Sequence, residues 1–185
     1  PALDITETSR LNGLVKSRLG GTPLAHLTGR QHFMGMDMLA GPGALVPRKE
    51  TELLGMAAVE RANDIAAQQG RALVVDVCTG CGNIALAIAN RVRDAVVFAV
   101  DLSNDAVELG RRNAAHLGLE RQVEFRVGDL LEPLATTDFF DQVDVLTCNP
   151  PYINSAKVGQ MPGEIAGHEP KLAFDGGPFG VGILM

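Results

Sequence analysis

Two regimes of hydrophobic spacing divide the chain near residue 72. Before it, apolar positions recur mostly at helical intervals. Ile5, Leu11, Leu14, Val15 and Leu19 predict a helix over residues 4–19, ended by Gly20-Gly21. Residues 23–27 add a helical turn. Residues 31–34 and 36–39, joined through Gly35, read as a short hairpin. Gly41-Pro42-Gly43 breaks that pattern, and Leu45-Val46-Pro47-Arg48 leads into a second helix over residues 50–69. Its expected inner face is Leu53, Leu54, Ala57, Ala58 and Ile65.

After residue 72 the pattern becomes strand and helix in alternation. Apolar runs at 73–77, 96–100 and 143–148 and the alternating segment 123–127 read as strands, with helices over 84–89 and 104–117 between them. Parallel strands joined by helices form a right-handed, doubly wound α/β sheet. No internal repeat or low-complexity segment interrupts it.

Bulk properties narrow the function classes. A chain of 185 residues fits one domain with a substantial core. Its net charge of −6 argues against a duplex nucleic-acid binder, which carries a basic face. No run reaches the ~18 apolar residues of a membrane span, and the first residues lack the basic and apolar regions of a signal peptide. Three cysteines, two inside a glycine loop, suit the thiols of a reducing cytosol.

The chemistry-bearing residues fall at strand ends, the edge where open α/β sheets bind ligands. The run 143–148 stops at Asn149-Pro150-Pro151-Tyr152. The first proline keeps Asn149 extended, and neither proline donates to a ladder. An amide side chain, backbone carbonyls and an aromatic ring are thereby grouped where a planar NH2 could be accepted and covered. A plain proline stop accounts for the same residues without any ligand.

Three acidic residues mark three successive strand ends. Asp76 precedes the loop Cys78-Thr79-Gly80-Cys81-Gly82, whose glycines permit a tight turn and close backbone approach to a ligand. Asp101, followed by Leu102, is spaced to hold a ribose diol. Asp129 is placed for an adenine amino group, with Leu130 against the ring. The loop lacks the third glycine of a dinucleotide fingerprint and the lysine of a P-loop. An acidic residue ahead of it suits a cationic amino group, so S-adenosylmethionine is the expected ligand. Cys78 and Cys81 form a C-x-x-C with no second pair, so no metal site is expected. The four histidines are scattered and read as surface or packing residues.

With these residues in order, the chain resembles the HemK/PrmC family of protein-(glutamine) methyltransferases from residue 23 to about residue 180. The resemblance rests on Pro23 through Gly29, Phe33-Met34-Gly35, Leu45-Val46-Pro47-Arg48-Lys49-Glu50-Thr51-Glu52, the loop from Asp76 to Gly82 and Asn149-Pro150-Pro151-Tyr152-Ile153. His168-Glu169-Pro170-Lys171-Leu172-Ala173 and Asp175-Gly176-Gly177 complete it. It implies a Rossmann-like class I methyltransferase that methylates a glutamine amide in a release factor or, next, a ribosomal protein. Residues Cys78 to Gly82, Asp101 and Leu130 would contact the cofactor. Asn149, Pro150, Pro151 and Tyr152 would hold the glutamine, with Phe33 and Arg48 contributing nearby. Asn149 Oδ1 and the Pro150 carbonyl would accept the two amide protons while Tyr152 covers the amide face.

The sequence departs from the family at Cys78, where a glycine is usual, and at Lys49, where a proline is usual. Residues 1–45 would be a remnant of a substrate-recognition domain and 46–185 the methyltransferase domain. The resemblance implies further C-terminal strands that would lie beyond this sequence, and a homodimer across the open sheet edge is one expectation. Two other readings stay open: an adenine-specific amino methyltransferase on nucleic acid, and an inactive cofactor-binding relative.

Overall fold

The computed structural model describes residues 3–135 and 140–183; the outermost residues of both expected domains lie outside these. Helix α1 (Ile5–Leu19) starts at Asp4, whose side chain accepts the Glu7 N–H at 2.7 Å while Glu7 accepts the Asp4 N–H at 2.9 Å. This reciprocal capping box satisfies two helix-end donors. No residue of α1 is buried, and Ile5 is 91% exposed. The expected apolar face therefore stays largely exposed among the described residues, and the helix's main contact is with the helix that follows. Local capping and propensity account for this helix, not packing.

Helix α2 (Leu24–Thr28) leads into the hairpin of β1 (Arg30–Phe33) and β2 (Met36–Leu39). Its two-residue turn puts both Met34 and Gly35 at positive φ, the conformation that matches strand twist. Buried Asn113 ties the hairpin down. Its Oδ1 accepts the Leu39 N–H at 2.7 Å, and its Nδ2 donates to the carbonyls of Leu39 and Cys81 at 3.2 Å. One side chain thus joins the hairpin to the glycine loop.

Helix α3 (Glu52–Gln69) follows a short 3-10 turn. It buries Gly55, Ala58, Ala62, Ile65 and Ala66. Leu53 and Ala57 are exposed, contrary to the expected inner face. The close approach of Met34 to Gly55 turns the helix that way: a Cβ at Gly55 would lie 2.4 Å from the Met34 sulfur.

The main sheet is fully parallel. It comprises β3 (Ala72–Val77), β4 (Ala95–Asp101), β5 (Val123–Val127) and β6 (Val145–Cys148), in the order β5-β4-β3-β6. Helices α4 (Asn83–Arg91) and α5 (Asn104–Leu117) join α3 in one layer over Val74, Val97, Ala99 and Phe125. The expected parallel α/β sheet with flanking helices is present, and among the described residues its three long flanking helices share one face. On the other face Val75, Val77 and Val100 pack with Leu130, Leu131 and Leu134, and Val96 and Leu146 remain exposed. The fourth strand is shorter than the apolar run that predicts it.

From β3 the sheet grows to one side through β4 and β5, then crosses back to place β6 on the other side of β3. The strand order reverses between β3 and β6, and a crevice forms at their carboxyl ends.

Candidate active site

A single cavity occupies this switch point, and every strand of the parallel sheet delivers a loop to it. Cys78, Thr79 and Gly80 come from β3; Asp101, Leu102 and Ser103 from β4. Gly128, Asp129 and Leu130 follow β5, and Asn149 and Pro151 follow β6. The far wall is made by Leu45 and Pro47 ahead of α3 and by Pro170, Leu172 and Ala173 from the C-terminal segment.

The glycine loop is tied to its neighbours by hydrogen bonds. Asp101 Oδ2 accepts the Gly80 N–H at 2.7 Å, and Oδ1 accepts the Ser103 N–H at 2.9 Å. The carboxylate is thereby fixed at the cavity wall with lone pairs left for a ligand. Gly80 sits at φ 57° with open space where a Cβ would be, so its backbone faces the cavity. Gly82 has a different reason to be glycine: a Cβ there would lie 2.7 Å from the Phe125 ring.

Asp76 does not line the cavity. It is 1% exposed, and its two oxygens accept the Thr147 and Thr79 hydroxyls at 2.6 Å each. Burial pushes its carboxyl up to about 6 against the hydroxyl and Ala85 backbone hydrogen bonds that favour the ionised form. Asp76 and Thr147 are register partners of β3 and β6, so this group joins the strands beneath the site.

Cys78 occupies φ 56°, a conformation that glycine adopts without penalty. Burial pushes its thiol up to about 12, and the charge of the neighbouring Cys148 adds to the rise. Cys81 is fully buried, and its thiol is likewise pushed up to about 12 by burial. No group of three metal-ligating side chains exists among the described residues.

The turn after β6 is secured from below. Ile153 N–H donates to the Phe174 carbonyl at 2.9 Å, and Gly176 N–H donates to the Ile153 carbonyl at 2.8 Å. Glycine is required at 176, where a Cβ would lie 2.7 Å from the Pro151 oxygen. Asp175 accepts the Ser155 hydroxyl at 2.6 Å, and this bond leads the causes that lower its carboxyl below the ordinary range. The Asp175-Gly176-Gly177 segment thus braces the asparagine-proline turn.

Among the predicted site residues, the cavity gathers Cys78, Thr79, Gly80, Asp101, Leu102, Asp129, Leu130, Asn149 and Pro151. Asp76, Cys81, Gly82, Pro150 and Tyr152 lie outside its lining, and Tyr152 is 68% exposed. Phe33 is in the main core. Arg48 also lies outside the lining, bonded to Glu169. Sequence reasoning missed Ser103, Leu45, Pro47 and Pro170 as lining residues. The Val46-Pro47-Arg48 and Glu169-Pro170 motifs were the available signal for the last three.

Residues 74–167, just over half of the chain, match the family described as "Methyltransferase domain". The chain belongs to this methyltransferase family. Curated relatives of the methyltransferase domain include a "Release factor glutamine methyltransferase" from Moorella thermoacetica. It is 38% identical, covering 90% of this chain and 56% of its own length. One of the same name from Koribacter versatilis is 36% identical over 98% of this chain and 62% of its own length. The chain thus spans less than two thirds of these relatives. Solved structures share the fold. The hMettl16 catalytic domain in complex with MAT2A 3'UTR hairpin 6 has a TM-score of 0.58 at 12% identity, covering 81% of this chain and 54% of its own. A SAM-dependent methyltransferase from Agrobacterium tumefaciens has a TM-score of 0.52 at 17% identity, covering 66% and 39%.

Proposed function

We propose that this chain carries the methyl-transfer site of a protein-glutamine methyltransferase that modifies a peptide chain release factor and takes S-adenosylmethionine as donor. The observation that carries the reading is that Asn149 and Pro151 share one cavity with Gly80, Asp101 and Asp129. An amide-binding turn and an adenosine-type cradle are then two ends of one space. The names of the curated relatives support the acceptor. Residues 46–185 are read as the transfer domain and 1–45 as part of the recognition apparatus. Three free thiols suit a reducing cytosol.

The donor fits the residues present. Asp101 offers fixed carboxylate oxygens to a diol, Asp129 faces the cavity for an exocyclic amine, and Gly80 leaves room for close approach. When bound, the donor supplies an electrophilic methyl group. A carboxamide nitrogen is a weak nucleophile because its lone pair is delocalised, so the protein's contribution is orientation. Asn149 Oδ1 and the Pro150 carbonyl accept the two N–H protons and turn the nitrogen toward the cradle. Tyr152, two residues past Pro150 and 68% exposed, is the aromatic face available to cover the amide. Orientation of this kind supplies roughly 7–11 kcal/mol in favourable cases. Acceptors already aimed at developing positive charge add to it.

Labelled methyl transfer from S-adenosylmethionine to three acceptors tests the reading: a release factor, a ribosomal protein and an adenine-containing oligonucleotide. Label on the release-factor glutamine supports it. Label on the oligonucleotide alone replaces the glutamine with a base amine.

A further inference from the structure

Glu169 is a buried carboxylate outside the cavity, its side chain only 1% exposed. Its Oε1 accepts from Arg48 Nη2 at 2.6 Å, and its Oε2 accepts the Val46 N–H at 3.1 Å. The chain around them is extended, with Arg48 at φ −98° and ψ 147°. Val46 meets Glu169 through its backbone N–H and Arg48 through its guanidinium, while the neighbouring Leu45 and Pro47 line the cavity. On the other partner, Pro170, Leu172 and Ala173 directly follow Glu169 and also face the cavity. Residues 121 apart in sequence are therefore locked together immediately behind the ligand-facing wall.

A buried ion pair is weak support for stability in general, because desolvating both charges offsets their attraction. Breaking such a pair leaves one charge uncompensated, so the arrangement specifies geometry more than it adds stability. Glu169 is the buried member and Arg48 keeps 37% of its side chain exposed, so the uncompensated charge would be that of Glu169. It accepts two donors from one strand-like segment and fixes the register of that segment against the turn at 170–173.

We propose that Arg48 and Glu169 are a positioning pair: they hold the 45–47 and 170–173 segments together as one wall of the cavity and do not contact the ligand. This rests on the reading of the cavity as a methyl-donor and acceptor site, and it assigns Arg48 a role different from the substrate contact that the family resemblance implies.

The test uses the purified chain with Arg48→Met, Glu169→Gln and the double variant. Hydrogen exchange and calorimetry with S-adenosylhomocysteine are read well below the onset of thermal unfolding. Each single variant is expected to lose amide protection in both segments, 43–48 and 170–174, by at least about tenfold, with β3 and β4 unchanged. Each also weakens the S-adenosylhomocysteine Kd by about tenfold. The double variant is no worse than the weaker single one, because one device has been removed twice. Protection lost in the mutated segment alone overturns the proposal, as does a lowered Tm with unchanged Kd and exchange. If the unaltered chain does not bind S-adenosylhomocysteine, the donor reading fails. The exchange pattern still decides the pairing.

Discussion

Replacing Asp76 with asparagine should remove a specific part of the protein's pH dependence. The carboxyl has an ordinary value of 3.8 and is pushed up to about 6 in the folded protein by complete burial. A proton is then held more tightly in the folded state than in the unfolded one. The group contributes stability that is fully present below pH 3.8 and is lost as pH rises through about 6. At 1.36 kcal/mol per pH unit, the interval between the two values corresponds to about 3 kcal/mol. Asparagine is nearly isosteric, and the hydroxyls of Thr79 and Thr147 can rotate to accept as well as donate. Urea unfolding of both proteins at several values between pH 4 and 7 gives two stability curves. Subtracting one from the other cancels the other titrating groups. The wild type should lose about 2.4 kcal/mol of this relative to Asp76→Asn between pH 4 and 7. Parallel curves would show that Asp76 titrates alike in both states and refute the reasoning.

Two further substitutions probe the frame around the site. Cys78→Gly removes a non-glycine residue from a positive-φ position and should stabilise the protein by about 1 kcal/mol; a lowered Tm would show that the contact with Cys148 outweighs the strain. Gly110→Ala places a Cβ 2.4 Å from the Phe125 ring, which Gly82 also confines. Overpacking should exceed the helix propensity gained and leave a net loss of about 1–2 kcal/mol in urea unfolding.

The parallel sheet was legible because its central strand is buried throughout, and the strands beside it keep buried residues at every second, inward position. Runs such as Leu73-Val74-Val75-Asp76-Val77 admit few other readings, and the 104–117 helix carries its own cap at Ser103 and stop at Gly118. Burial of helix faces was less legible. The apolar positions of α1 and Leu53 of α3 have helical spacing, but spacing alone does not say whether a partner exists. At the site, residues on strand-end loops were found by position. Asp76 stands out at a strand end, but the sequence does not reveal that the Thr147 hydroxyl, 71 residues away, donates to its oxygen. The Arg48–Glu169 pair was hidden for the same reason. Both segments stood out as motifs, yet only the fold brings them into contact.

The proposed role of Asn149 is to orient the accepting amide within a cavity that separately binds the donor. Its most direct test compares wild type and Asn149→Ala in S-adenosylhomocysteine calorimetry and in labelled methyl transfer to a release factor. The variant should keep a donor-site Kd within about threefold of wild type while its transfer rate falls by at least about a hundredfold, or some 2.7 kcal/mol of barrier. Near-full transfer by the variant would contradict this role.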